Sequence, residues 1–150
     1  MTREGMIEKL REKGLKVTSQ RLAVIDILLE QRHVHPSAAR VFAEATRRGD
    51  RLSLSTVYAT LHEFSRHGLI RTLEFDQMEN RYEMNPAEHI NLICEGCGRI
   101  SDYPVSLGVG EETLLADRGF RVHRTRMEYY GCCRECLRDS SSRKPCGGKT

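Results

Sequence analysis

Four cysteines in two matched pairs carry the clearest chemical signal in this sequence. Cys94 and Cys97 form a C-x-x-C knuckle within HINLICEGC, and Cys133 and Cys136 form a second within CREC near the C-terminus. A C-x-x-C turn aims two thiolates at one point, and two such knuckles make a tetrahedral sulfur cage, which suits Zn²⁺. The stretch between the pairs is longer than in a common zinc ribbon, so the ion would staple a small folded unit rather than a single finger. The alternatives are two redox-active pairs or buried free thiols, but no thioredoxin-like βαβ pattern surrounds either knuckle. Cys132 and Cys146 fall outside the pairing and read as a small buried residue and an exposed free thiol. Cys132 could replace Cys133 as a ligand, although only Cys133 preserves the C-x-x-C spacing.

A second group offers harder donors: His35, Glu83, His89, Asn91 and Asp102. Imidazole, carboxylate and amide oxygen together suit Fe²⁺ or Mn²⁺. These positions bracket the joint between the two halves of the chain, so an ion held by them would restrict hinge motion. On residue type alone, such scattered groups are usually just ordinary surface. Strand side chains alternate faces, which puts His89, Asn91 and Ile93 on one side of HINLIC and Ile90, Leu92 and Cys94 on the other. His89 therefore points away from the thiolate cage and is available to the second site.

The elements that must position these groups are readable in order. Residues 4–13 form a helix that stops at Gly14. Thr18 caps a second helix, SQRLAVIDILLEQ, with a buried stripe of Leu22, Ile25, Leu28 and Leu29. Pro36 opens a third, PSAARVFAEATRR, ended by Gly49, and His35 stands at its start. Ser53 caps a fourth, LSTVYATLHEFSRHG, closed by Gly68. The runs LIRTLEF and NRYEM flank a polar turn at residues 76–79 and predict a hairpin. Helices followed by a hairpin suggest a winged helix.

In the fourth helix, Leu54, Val57, Leu61 and Phe64 are spaced to pack inward. Ser55, Tyr58, Ala59, His62 and Arg66 then lie outward, beside Thr56. This polar face, with small residues near its N-terminal end and one tyrosine, fits a helix that enters a DNA major groove. The same face also reads as ordinary solvated surface. Lys13, Lys16 and Arg21 add candidate phosphate contacts.

Asn85–Pro86–Ala87 marks a boundary between residues 1–84 and 85–136. The second segment holds the strand HINLIC, a return strand over 98–102 and a short helix, EETLLADR, ending at Gly119. A final strand, FRVHRTRMEYY, leads into the second knuckle. Residues 137–150, rich in Ser, Gly, Lys and Arg, read as a flexible tail. The formal net charge of +3 permits nucleic-acid binding without demanding it. No apolar run approaches the roughly 20 residues that span a bilayer, and the N-terminus lacks a signal-peptide core. A cytoplasmic location is expected, where six cysteines favour metal over disulfides.

Over roughly residues 5–137 the chain resembles the ferric uptake regulator (Fur) family of metal-dependent transcription factors. The stretches that carry the resemblance are VTSQRLAVIDIL, HPSAARVF, LSLSTVYATLHEFSRHGLI, NRYEMN, HINLICEGCGRISDY and EYYGCCREC. The resemblance implies an α+β fold: an N-terminal winged-helix DNA-binding domain, a hinge, and a C-terminal α/β dimerisation domain whose sheet continues across a two-fold axis. It matches Cys94, Cys97, Cys133 and Cys136 to a structural zinc tetrad. It matches His35, Glu83, His89 and Asp102 to a hinge regulatory site, and Tyr58 to a tyrosine that contacts base edges.

The sequence also departs from the family pattern. Asn91 stands where the family usually has the second histidine of H-x-H-x-x-C, and Ala59 stands where many members have arginine. The late histidine of a further family site is missing, since Arg124 and Thr125 occupy that region. Asp102, where iron-sensing members more often carry glutamate, is similar to the peroxide-sensing branch, in which bound iron reacts with peroxide and one of its own histidine ligands is oxidised. The resemblance thus implies a homodimeric, metal-dependent repressor of a double-stranded operator, with Zn²⁺ structural and Fe²⁺ or Mn²⁺ regulatory. The alternatives are a metal-responsive regulator without peroxide sensing, and a zinc-stapled protein that binds DNA constitutively. Enzyme activity is not expected, because four thiolates close the zinc coordination sphere.

Overall fold

Hydroxyl side chains start all four N-terminal helices. The computed structural model describes residues 1–75, 78–106, 111–122 and 125–138. Helices α1 (Arg3–Glu12), α2 (Ser19–Glu30), α3 (Ala38–Arg48) and α4 (Leu54–Arg66) are capped by Thr2, Thr18, Ser37 and Ser53. Each cap oxygen accepts a backbone N–H three residues on, at 3.1–3.3 Å, an arrangement that typically stabilises a helix by about 1 kcal/mol. At the other end of α3, Gly49 takes the left-handed conformation (φ 82°) that a residue with a Cβ adopts only at a penalty. Pro36 lies one residue outside the cap, so the third helix begins at Ala38 rather than at the proline.

The chain divides into two compact units, Met1–Pro86 and Ala87–Thr150. In the first, Met6, Leu10, Val24, Ile25, Ile27, Leu28, Val41, Val57, Leu61 and Phe64 pack one apolar core. Burial of each large side chain contributes about 1.5–3 kcal/mol. The stripe of α2 is rotated from the expected one: Val24 and Ile27 are buried, while Leu22 and Leu29 are half-buried. Leu54, expected to pack inward, is exposed because it is the first residue of its helix, where the side chain clears the core. Strands β1 (Arg71–Leu73) and β2 (Arg81–Glu83) pair antiparallel, Thr72 opposite Tyr82. The expected turn residues Asp76 and Gln77 lie outside the described residues.

In the second unit, β3 (His89–Cys94) is the central strand of a three-stranded sheet, antiparallel to β4 (Ile100–Pro104) and parallel to β5 (Glu128–Gly131). Helix α5 (Glu111–Arg118) precedes Gly119, and α6 (Arg134–Arg138) carries the end of the second knuckle. Three expectations are corrected. The return strand runs two residues later than 98–102. The last strand is only EYYG: its pairing with β3 begins at Glu128, opposite Asn91, and of the expected residues before it, 123 and 124 lie outside the described residues. Leu137 and Arg138, expected in the tail, close α6. Residues 139–150 lie outside the described residues.

Candidate metal centres and nucleic-acid face

The sulfur cluster is built by strand register. Cys94 is the last residue of β3 and pairs with Gly131 of the parallel strand β5. The N–H of Glu95 bonds the Gly131 carbonyl at 2.8 Å, so the chain leaves β5 beside the first knuckle and reaches Cys133 two residues later. A tight turn, with Gly98 at φ 70° and its N–H on the Cys94 carbonyl at 2.8 Å, brings Cys97 back toward Cys94. The first turn of α6 returns Cys136 toward Cys133, whose carbonyl accepts the Leu137 N–H at 3.0 Å. An Arg99–Glu135 ion pair ties the two knuckles together. The charges CGR and REC beside the cysteines were the sequence signal for that link.

The four sulfurs lie within 4.8 Å of one another. Cys97 Sγ and Cys133 Sγ are 3.8 Å apart. A tetrahedron with Zn–S bonds of about 2.3 Å has edges of about 3.8 Å, so the cluster has the size of a zinc cage. Burial alone would push the Cys94 thiol up, but backbone N–H groups of Cys133, Cys97 and Gly96 outweigh it and hold the pKa down to about 6. Cys136 is pushed up to about 12, first by its hydrogen bond with Cys133, then by burial and the other two sulfurs. Crowded thiols cannot all ionise beside one another, and a divalent cation at their centre resolves that repulsion. Cys132 is half-buried rather than buried, and Cys146 lies outside the described residues.

The harder donors occur as one set in each unit. In the first, His35 is fully buried and its backbone takes the left-handed region at φ 46°. Such a backbone costs of order 1 kcal/mol or more and persists only where surrounding structure holds it. Here the Tyr82 N–H bonds the Pro36 carbonyl at 3.1 Å and Ser37 bridges to Arg81, stitching the approach to α3 onto β2. The result sets His35 Nε2 3.9 Å from Glu83 Oε1, with both side chains buried. In the second unit, His89 and Asn91 share one face of β3, and Asn91 is the direct ladder partner of Asp102 in β4. Asp102 thus sits inside its strand rather than at its end. His89 Nδ1 bonds the Ala87 carbonyl at 2.7 Å. A carbonyl can only accept, so Nδ1 donates here, and Nε2 is the ring nitrogen that could serve a metal. Nothing in the side-chain sequence marked Ala87, since its contribution is a backbone oxygen.

The candidate DNA face lies on α4. Ser55, Tyr58, Ala59, His62 and Arg66 are exposed, Tyr58 at 48%, and Thr56 is half-buried. Ser53 Oγ lies 2.8 Å from Ser55 Oγ and 2.7 Å from Thr56 Oγ1, so the helix start is a cluster of hydroxyls. Lys13 and Lys16 are exposed. Arg21 is different: its guanidinium donates to the Lys16 carbonyl and to Glu63 Oε2, bracing α2 against α4.

Comparison with known proteins decides the family. The sequence profile of the Ferric uptake regulator family matches residues 12–130. The chain belongs to the ferric uptake regulator family. Its α+β fold, a winged helix followed by an α/β dimerisation domain, is that of the family's solved structures. A relative described as "Peroxide operon regulator" from Bacillus subtilis is 33% identical over 132 residues, 87% of this chain and 90% of that protein. The Campylobacter jejuni peroxide stress regulator superposes with a TM-score of 0.67 at 28% identity, covering 91% of this chain and all of that one. The Pseudomonas aeruginosa ferric uptake regulator solved with manganese superposes with a TM-score of 0.71 at 25% identity, covering 85% and 96%. Among the described residues no helix is long and apolar enough to cross a membrane.

Proposed function

We propose that this chain is a homodimeric, metal-dependent DNA-binding repressor that responds to peroxide. In this reading Cys94, Cys97, Cys133 and Cys136 hold a structural zinc that stabilises the second unit. His35 and Glu83 of the first unit and His89 and Asp102 of the second hold a regulatory Fe²⁺ or Mn²⁺. The observation that carries the reading is the buried His35–Glu83 pair, held on a strained backbone that fold stability alone does not call for. The relatives supply the signal, since relatives from Bacillus subtilis and Staphylococcus epidermidis, 33% and 32% identical, are described as a peroxide operon regulator and a peroxide-responsive repressor. Bound iron would supply the reaction with peroxide. His35 and His89 supply the imidazoles that such chemistry would modify, and an oxidised imidazole is a poor ligand. Tyr58, Ser55, Thr56 and Ala59 meet base edges, and Lys13 and Lys16 meet phosphates, with Arg21 holding α2 and α4 in register behind them.

The regulatory role requires coupling. If the ion favours the DNA-competent arrangement, operator DNA must tighten ion binding by the same factor. Iron-loaded protein treated with low peroxide is expected to gain one oxygen on the peptide containing His35 or His89, while manganese-loaded protein gains none. Absence of modification in both forms, with DNA binding retained, would leave a sensor of metal rather than peroxide. If His89→Ala leaves DNA affinity unchanged, binding is constitutive and the regulatory site is idle. A regulator of this kind works in the cytoplasm, on DNA, and needs no catalytic turnover.

A further inference from the structure

Asn91 is the one member of the second donor group that the family pattern does not explain. Its side chain is buried, at 4% exposure, and its Oδ1 has no hydrogen-bond partner among the described residues. A buried polar atom left in that condition is destabilising, so a partner outside the chain is the simplest explanation. The oxygen is an acceptor, and what answers it must be a donor or a cation.

The neighbours favour a cation. Asn91 stands directly across the ladder from Asp102, on the face of β3 that also carries His89 two residues earlier. Side chains so opposed have Cβ atoms about 4.5–5.5 Å apart, close enough to share one ion. Both flanking groups can serve a cation, His89 through Nε2 because Nδ1 is committed to the Ala87 carbonyl, Asp102 through its carboxylate. One nitrogen and two kinds of oxygen therefore rise from one face of the paired strands β3 and β4.

We infer that Asn91 is a direct ligand of the regulatory ion through Oδ1, and that it sets the metal preference of the site. The inference rests on the regulatory-ion reading above. An amide oxygen in place of an imidazole nitrogen exchanges a borderline donor for a hard one. That change weakens the hold on Co²⁺ and Zn²⁺ much more than on Mn²⁺, which takes carbonyl oxygens readily. It also leaves His89 as the only imidazole on this face of the strand.

The test uses the full-length, zinc-replete protein and measures Mn²⁺ and Co²⁺ affinities by competition with a fluorescent chelator. Asn91→His is expected to raise Co²⁺ affinity about tenfold or more while Mn²⁺ affinity stays within about threefold. Asn91→Ala is expected to lower Mn²⁺ affinity about tenfold. Circular dichroism and zinc content report whether each variant folds. If both variants bind both ions within about twofold of the parent while His89→Ala abolishes binding, Asn91 is not a ligand and the regulatory-ion reading survives. If His89→Ala also changes nothing, that reading fails, and the role of Asn91 fails with it. Should the variants not fold, the parent protein labelled with ¹³C-asparagine and loaded with Mn²⁺ decides by electron–nuclear double resonance. A strong ¹³C coupling supports ligation, and its absence overturns it.

Discussion

The backbone N–H of Cys133 points at the sulfur of Cys94, 3.3 Å away and 39 residues distant in sequence. That bond lets the second knuckle stabilise a thiolate on the first before any metal arrives.

Its consequence is a pH profile. In metal-free protein, Cys94 has a folded pKa of about 6, below the 9.0 of a free thiol. Its stabilising contribution is fully present above about pH 9 and is lost as pH falls through about 6. Cys136, raised to about 12, acts in the opposite sense. Its contribution is complete below about pH 9 and disappears as pH rises toward 12. Urea unfolding of reduced, metal-free protein should show these two groups producing maximal stability near pH 9. Zinc binding near neutral pH should release fewer protons than the number of ligands, measured by calorimetry in buffers of different ionisation heat. Release of a full proton from each of the four cysteines would contradict the ionised Cys94.

Arg21 joins two carbonyl and carboxylate acceptors at the junction of α2 and α4. The pair with Glu63 is partly exposed, so solvent screening limits its worth. Glu63→Gln is expected to cost about 0.5–1 kcal/mol in urea unfolding, and Arg21→Ala somewhat more, because the Lys16 carbonyl also loses its donor. A loss above about 3 kcal/mol would mean that the pair carries more of the domain than its exposure allows.

Tyr58 separates recognition from stability. Being half exposed at 48%, it can be changed to Phe without disturbing the core. Tyr58→Phe is expected to weaken operator binding by about 1–3 kcal/mol and relax base preference, with an unchanged melting temperature. Lys16→Ala should weaken binding evenly across sequences and reduce the salt slope by about 1. Fluorescence anisotropy over a salt series checks both.

Gly49→Ala isolates backbone conformation. A methyl group added here would meet no atom within 4 Å, yet φ is 82°. The expected loss is about 1 kcal/mol in unfolding free energy, with no change in metal content or DNA affinity.

Local chemistry made much of the fold legible. Thr18 and Ser53 announce α2 and α4 because a hydroxyl before an apolar periodic run satisfies an orphan N–H. The cysteine spacing likewise marked a sulfur cage, because a C-x-x-C turn is a local property. What the chain does over long range was not readable. The pairing of Cys94 with Gly131 is parallel and 37 positions apart by residue number, and the register that puts Glu128 opposite Asn91 is set by no local pattern. The left-handed backbone of His35 depends on Tyr82 reaching back to Pro36, which no neighbour of His35 announces.

That stitch between Pro36 and Tyr82 has a thermodynamic meaning. Because β2 and the approach to α3 are already fastened to each other, the imidazole of His35 and the carboxylate of Glu83 are pre-organised. An incoming cation need not freeze two independent loops, so little conformational entropy is lost on its arrival. Its departure would likewise leave the hairpin intact, so demetallation should shift populations of a folded protein rather than melt it.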